Sequence, residues 1–445
     1  MPRQNSWDSK LQVRIANQVD HITATFAAQR GIEIKVVPAG GGVGYMYAEG
    51  QLLVRDNYVE QVYGILNPGR EVDYENIDRI VPGVALINQE PAGERPTVVA
   101  VLETIDRIFG TGIATPNHVL TVAPGGPCPA TEPEEVYDDT EPYPSVCTGN
   151  SGAGVLVYIA DTGLLADADS HPWLAGVQRA QKPDGTLQPP DPLGPPGPNG
   201  TPTIPPYAGH GTFVAGVVRC LAPEADIIVS NIFKVAGSAL ESDFVIELSQ
   251  ALALGVDVFN LSITTQTRTD LPLLGFDGWL RLLRQYKGVV CAVAAGNNGD
   301  RKTSWPAGGP GMVSVGALGG DWRGRAQFSN YGGWVDVYAP GRDLVNAYAT
   351  GTYTCDDAPY KGQIRKFFGM ARWSGTSFST PVVTGLIAAR MSRTGENGQQ
   401  AAAALLAEAR SRAIPGVGAV LLPCGGHCDK AGRRVSCARC CDPDR

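Results

Sequence analysis

Four short segments carry residue types suited to acyl transfer. Ser377 stands in Ser374-Gly375-Thr376-Ser377-Phe378-Ser379-Thr380-Pro381, where an apolar helical run opens that ends near Arg393. A hydroxyl there has backbone amides and the positive end of a helix dipole beside it, which suit an oxyanion forming next to a nucleophile. His210 lies between Gly209 and Gly211, whose lack of side chains lets other groups approach the imidazole closely. The chain has only 5 histidines (His21, His118, His171, His210 and His427), so candidates for a general base are few. Of the others, His171 precedes Pro172 in what reads as a turn before a short helix. Asp161, in Asp161-Thr162-Gly163, leaves a buried-looking apolar run for a glycine turn, where a carboxylate needs a partner. Asn297, in Ala294-Ala295-Gly296-Asn297-Asn298-Gly299, ends another such run with an amide that can donate to the same oxyanion. Each has an ordinary alternative: a turn aspartate, a capping or core histidine, an N-cap serine, an Asn-Gly turn.

The order separates these alternatives. Asp, then His, then Ser, with an asparagine-bearing strand end between the last two, is the order of the subtilisin arrangement. From about residue 154 to 413 the chain resembles the subtilases, the subtilisin-like serine peptidases. The resemblance rests on Asp-Thr-Gly at Asp161, His-Gly-Thr-x-Val-Ala-Gly at His210 and Gly-Thr-Ser-x-x-Thr-Pro at Ser377. Lesser features agree: Ala222-Pro223, Asn260-Leu261-Ser262, Phe328-Ser329 with Gly332, and Ala339-Pro340-Gly341. It implies a triad in which His210 takes the proton of Ser377, Asp161 orients the imidazole, and Asn297 with the Ser377 amide holds the oxyanion.

It also implies an extended substrate between two strand edges, Gly237-Ser238-Ala239 and Ser262-Ile263-Thr264. Ala239 and Thr264 stand where relatives commonly have glycine, which implies a narrower cleft, and Phe378 and Ser379 replace the usual Met and Ala. No cofactor is needed for this chemistry. Calcium is frequent in the family, but Trp173 stands where the common aspartate of a calcium-binding turn would be. Thr115-Pro116-Asn117-His118-Val119-Leu120 is similar to the last strand of a subtilase propeptide, which implies that the N-terminal region acts as an intramolecular inhibitor. Two alternatives remain open: a catalytically silent regulatory or binding protein on the same fold, and a dedicated processing peptidase for one partner.

The elements that must position these residues read as an α/β domain with a parallel sheet covered by helices on both faces. Valine- and isoleucine-rich runs at 155–160, 226–232, 256–263, 289–295, 312–317 and 335–339 suit strands buried on both sides. Helical patterns at 241–254, 271–286 and 377–393 alternate with them. In such a sheet the ligand crevice lies beyond the carboxyl ends of the strands, where Asp161 and Asn297 fall. Strand patterns at 51–55, 83–88 and 113–122, and helical ones at 57–66 and 97–109, suit a small N-terminal α+β domain over 1–123. An acidic, proline-rich linker over 124–152, a peptidase domain over 153–415 and a cysteine-rich tail over 416–445 complete the expected organisation. The proline-rich run 181–207 reads as a surface insertion.

Composition is that of a globular protein: 445 residues, 43% apolar and 18% charged. With 44 acidic against 36 basic residues, nothing suggests a nucleic-acid or anionic-membrane partner. No run suits a membrane-spanning helix, and residues 1–20 lack the apolar stretch of a secretory signal, so the expected location is the cytoplasm. Ten cysteines pull the other way. Cys424, Cys428, Cys437 and Cys440 have spacings that allow a small zinc site or disulfides, and Cys128 and Cys147 bracket the linker.

Overall fold

The computed structural model describes residues 4–39, 42–89, 96–122, 130–137, 140–147, 151–197, 200–234, 236–357 and 359–423. The N-terminal region runs α1 (Gln4–Arg30), β1 (Ile34–Ala39), β2 (Gly42–Arg55), α2 (Val59–Leu66), β3 (Ile77–Val81), β4 (Val84–Asn88), α3 (Val98–Phe109) and β5 (Ala114–Thr121). Thr97 caps α3, its hydroxyl accepting from Ala100 N at 3.3 Å, and Gly110 ends it. One face of this sheet buries Leu52, Val54 and Ala85 under Val62, Val101 and Leu102 of α2 and α3.

The second region begins with β6 (Leu156–Asp161), followed by β7 (Gln178–Arg179), β8 (Gly194–Pro196), β9 (Pro202–Thr203), α4 (His210–Leu221), β10 (Asp226–Asn231), β11 (Ser238–Leu240), α5 (Glu241–Leu252) and β12 (Val258–Leu261). It continues with α6 (Leu274–Leu283), β13 (Val290–Ala294), β14 (Met312–Leu318), β15 (Val337–Pro340), β16 (Leu344–Thr354), β17 (Ile364–Trp373), α7 (Thr376–Thr394) and α8 (Gly398–Ser411). Seven strands form a sheet in the order β15-β14-β13-β12-β6-β10-β7, parallel at every pairing. Alternation on β6 shows why both faces must be covered. Val157 and Ile159 point into a core closed by α4, α7 and α8, while Tyr158 and Ala160 point into one closed by α5 and α6. The fold is the expected α/β arrangement with an α+β region before it.

The two regions share more than a chain connection. β5 lies between β2 and β11, so the N-terminal sheet takes its edge strand from the second region. Leu53, Val81 and Leu86 from its other face pack with Phe244, Trp279 and Leu280 of α5 and α6. Asn117 completes the start of α5, which has no cap of its own: its Oδ1 accepts from Ser242 N at 3.1 Å.

Two segments differ in character from their composition. The described part of the acidic linker runs along the second region, with Trp373 Nε1 donating to Thr131 O at 2.7 Å, Glu134 bridging Arg372, and Tyr143 bridging Val345. Within the proline-rich run, β8 and β9 join β16 and β17 in a four-stranded sheet, and Gln188 and Asp191 are buried against the end of β6. It is therefore only partly a surface insertion. Among the described residues no helix is long and apolar enough to cross a membrane.

Candidate active site

Backbone packing brings the first two groups together. Gly209, at φ +83°, makes the left-handed turn into α4, and a Cβ on Gly211 would stand 2.3 Å from the carbonyl oxygen of Gly163. Only glycine allows this approach of the helix start to the turn after β6. His210, first residue of α4, then donates from Nδ1 to Asp161 Oδ1 at 2.6 Å, both side chains being fully buried. Thr162 N donates to the same Oδ1 at 2.7 Å. Asp161 Oδ2 and His210 Nε2 have no hydrogen-bond partner among the described residues. The imidazole is walled by Trp373 and Phe378, with ring centroids 5.8 and 5.2 Å away, and Phe378 also packs on Phe213 at 4.5 Å. The phenylalanine beside the nucleophile thus braces the histidine face.

Ser377 is the second residue of α7, where a helix has amides without intrahelical partners. Pro381 within this helix cannot supply the N–H that would reach back to the Ser377 carbonyl. Ser262 Oγ donates to that carbonyl instead, at 2.9 Å, fastening the Ser377 backbone to the strand edge expected to hold substrate. Asn297 follows β13. Its Oδ1 accepts from Thr376 N at 2.9 Å and Thr376 Oγ1 at 3.0 Å, and Thr376 Oγ1 accepts from Gly296 N at 3.1 Å. With Oδ1 committed, the amide NH2 is the end of Asn297 able to donate to an oxyanion.

Both expected strand edges face an extended segment of the chain itself. Ser238, Ala239 and Leu240 pair antiparallel with Thr121, Leu120 and Val119, and Thr264 pairs with Thr121 from the other side. Val122 N donates to Gly237 O at 3.0 Å. Leu120 enters the apolar cluster holding Phe233, Ala239 and Ile263. The described segment ends just past β5 at Val122, whose carbonyl oxygen stands 3.5 Å from Ser377 Oγ.

Cys424, Cys428, Cys437 and Cys440 lie outside the described residues, as does Cys128. Among the described residues no group of three or more His, Cys, Asp or Glu side chains is gathered. Around Trp173 the residues do not fit a calcium ion: its Nε1 donates to Asn346 Oδ1 at 3.1 Å, and the nearby carbonyls of Pro223, Ala225 and Ala175 accept from the Arg219 guanidinium at 2.7, 2.7 and 3.3 Å. Among the described residues Cys220, Cys291 and Cys355 are free thiols, and burial pushes the Cys220 thiol up to about 12.

Two residues of this site make contacts that the motifs alone do not reveal, Thr376 from within the motif at Ser377 and Asp191 from outside every motif. Thr376 joins the Asn297 loop to α7, and Asp191, from the proline-rich run, contacts both Thr162 and Gly209. No local pattern marks Asp191, since the residues it touches are 29 and 18 positions away.

Comparison with known proteins identifies the family and the fold. A sequence profile described as the subtilase family matches residues 152–421. The thermophilic serine proteinase of Bacillus sp. (strain AK1) is 33% identical over 199 residues, 42% of this chain and 43% of that protein. The intracellular serine protease of Paenibacillus polymyxa is 30% identical over 261 residues, 55% of this chain and 69% of that protein. The chain thus spans less than half the length of the first and about two thirds of the second. Among solved structures, fervidolysin from Fervidobacterium pennivorans shares the fold, with a TM-score of 0.54 at 20% identity over 85% of this chain and 60% of that one.

Proposed function

This chain belongs to the subtilase family of serine peptidases, and from that premise we propose that it is an endopeptidase acting through an acyl-enzyme on Ser377, whose first substrate is its own chain. The observation that carries the reading is the occupied cleft: an extended strand paired on two edges and ending with Val122 at the serine hydroxyl. His210 Nε2 takes the proton of Ser377 as Oγ attacks the scissile carbonyl. The Nδ1–H bond to Asp161 keeps that nitrogen protonated and stabilises the imidazolium. The tetrahedral oxygen is held by Asn297 NH2 and the Ser377 amide. The proton then passes from His210 to the leaving amine, the acyl-enzyme is hydrolysed, and the serine is restored.

The same contacts support an inhibitory role for the N-terminal region. Backbone pairing gives the strand affinity irrespective of sequence, and Leu120 adds a buried anchor. A protein or peptide substrate would lie as β5 lies, so the cleft opens to it only after the strand leaves. Cleavage within 122–152 would begin that release. An intracellular setting, which the name of the P. polymyxa protein gives for that relative, is compatible with the free thiols of Cys220, Cys291 and Cys355.

A fluorophosphonate probe tests the assignment. It should label the wild-type protein at Ser377 and leave Ser377→Ala unlabelled, with peptide mapping as the readout. Labelling at another serine would sink the reading.

A further inference from the structure

Gln188 to Asp191 turn inward from the proline-rich run. Gln188 Oε1 accepts from Asn231 N at 2.7 Å, and Asp191 N donates to Leu164 O at 2.9 Å, so the segment is anchored on both sides of the turn after β6. Asp191 Oδ2 then accepts two hydrogen bonds, from Thr162 Oγ1 at 2.8 Å and from Gly209 N at 2.7 Å. Thr162 Oγ1 itself accepts from Gly211 N at 3.1 Å. One carboxylate oxygen therefore ties the residue that follows Asp161 to the residues on either side of His210.

We propose that Asp191 is a positioning residue for the peptidase reaction: its carboxylate fixes the mutual placement of Asp161 and His210 without touching the substrate. The inference rests on the triad reading above. The Asp161–His210 bond spans the end of a strand and the start of a helix, and apart from the shared core, their relative position depends on the turn backbone. A hydrogen-bonded bridge across that turn limits its play, and small misplacements of catalytic groups cost rate steeply.

The electrostatic setting is specific. Burial pushes the Asp191 carboxyl up to about 8, the bonds from Gly209 and Thr162 oppose this, and the Asp161 charge raises it further. Tyr348 of β16 faces it from the other side, its phenol raised by burial and then by the Asp191 charge. His210 stands behind Gly209, and His21 of α1 and Lys234 line the same cavity of about 450 Å³ into which Asp191 looks. Asparagine at this position keeps an oxygen that can accept both bonds but cannot titrate.

Three substitutions in the full-length chain test the proposal: Asp191→Ala, Asp191→Asn and Thr162→Val. On a peptide substrate, Asp191→Ala should lower kcat about tenfold or more with KM little changed, as expected when geometry and not binding is lost. Asp191→Asn should restore most of kcat, and its kcat–pH profile should lack a step near 8 that is expected of the wild type. Thr162→Val should lower kcat, and adding it to Asp191→Ala should cost nothing more. In protein carrying isotope-labelled histidine, the low-field Nδ1 proton of His210 should shift in Asp191→Ala and stay in Asp191→Asn. This resonance reports positioning even if the wild type proves inert, an outcome that would instead overturn the proposed function. Should Asp191→Ala fail to fold, the other two variants carry the test. The proposal is overturned if Asp191→Ala keeps wild-type kcat with an unmoved resonance, or if Asp191→Asn is as impaired as Asp191→Ala.

Discussion

Asn297 and Asp191 are both buried polar residues beside the nucleophile's machinery, yet the fold asks opposite things of them. Asn297 spends its oxygen on Thr376, which leaves the amide NH2 as the end that would donate in the proposed reaction. Asn297→Ala should lower kcat about a hundred- to a thousandfold with KM little changed, the loss known for subtilisin itself when this kind of donor is removed. Steady-state kinetics on a peptide substrate reads it. Asp191 instead sits where burial resists its ionisation, its carboxyl being raised from 3.8 to about 8. A carboxyl raised in the folded state binds its proton more tightly there than in the unfolded chain. It costs nothing below about 4, and stability is lost progressively as pH rises from there to about 8. The Tm of Asp191→Asn relative to wild type should therefore increase between pH 5 and pH 9. A relative Tm that is flat or falls over this range would contradict the assignment. A residue that weakens the fold at alkaline pH while holding the catalytic pair fits a functional role better than a structural one.

At the scale of elements, the start of α7 shows how a sequence defect is repaired by a neighbour. Pro381 removes one helical N–H, and Ser262 Oγ satisfies the Ser377 carbonyl left over. Ser262→Ala should destabilise the protein by about 1–3 kcal/mol with Pro381 present, the cost of an unsatisfied buried acceptor. The loss should shrink in a Pro381→Ala background, where the helix supplies its own donor, and a thermal-unfolding double-mutant cycle measures the difference. Arg219 works similarly, covering the carbonyls of Pro223, Ala225 and Ala175. Arg219→Leu should lower Tm without changing the peptidase pH profile. The strands and helices that carry the motifs were legible because each is a continuous apolar or periodic run, as in β6, β12, β13 and α7. The β16–β17 hairpin was not read, since its inward face includes Arg365, which donates to Pro133 O at 2.6 Å and breaks the apolar alternation. The buried half of the proline-rich run stayed hidden because the contacts that bury Asp191 reach residues 18 to 29 positions away. Thr162, visible within its motif, acquires a role only once Asp191 is beside it.

Across the whole molecule, the N-terminal region holds the cleft through β5 and is itself held at several further points. Arg268 pairs with Asp106 at 2.7 Å, Arg55 with Asp277 at 3.1 Å, and His118 with Glu241 at 3.1 Å in a fully buried contact. Release would require breaking these together with the Asn117 cap of α5. Leu120→Asp, which places a charge in the apolar cluster under the strand, should loosen this hold and speed fluorophosphonate labelling of uncut protein, as gel fluorescence would show. If Ser377 is the nucleophile of a peptidase that first cuts its own chain just beyond the strand in its cleft, intact-mass spectrometry of freshly purified wild type beside Ser377→Ala should separate the two proteins. The wild type should give two fragments, divided within residues 122–152, and Ser377→Ala one full-length species. A Ser377→Ala protein cut at the same place, or a wild type that stays full length while hydrolysing added peptides, would contradict this self-cleavage by Ser377.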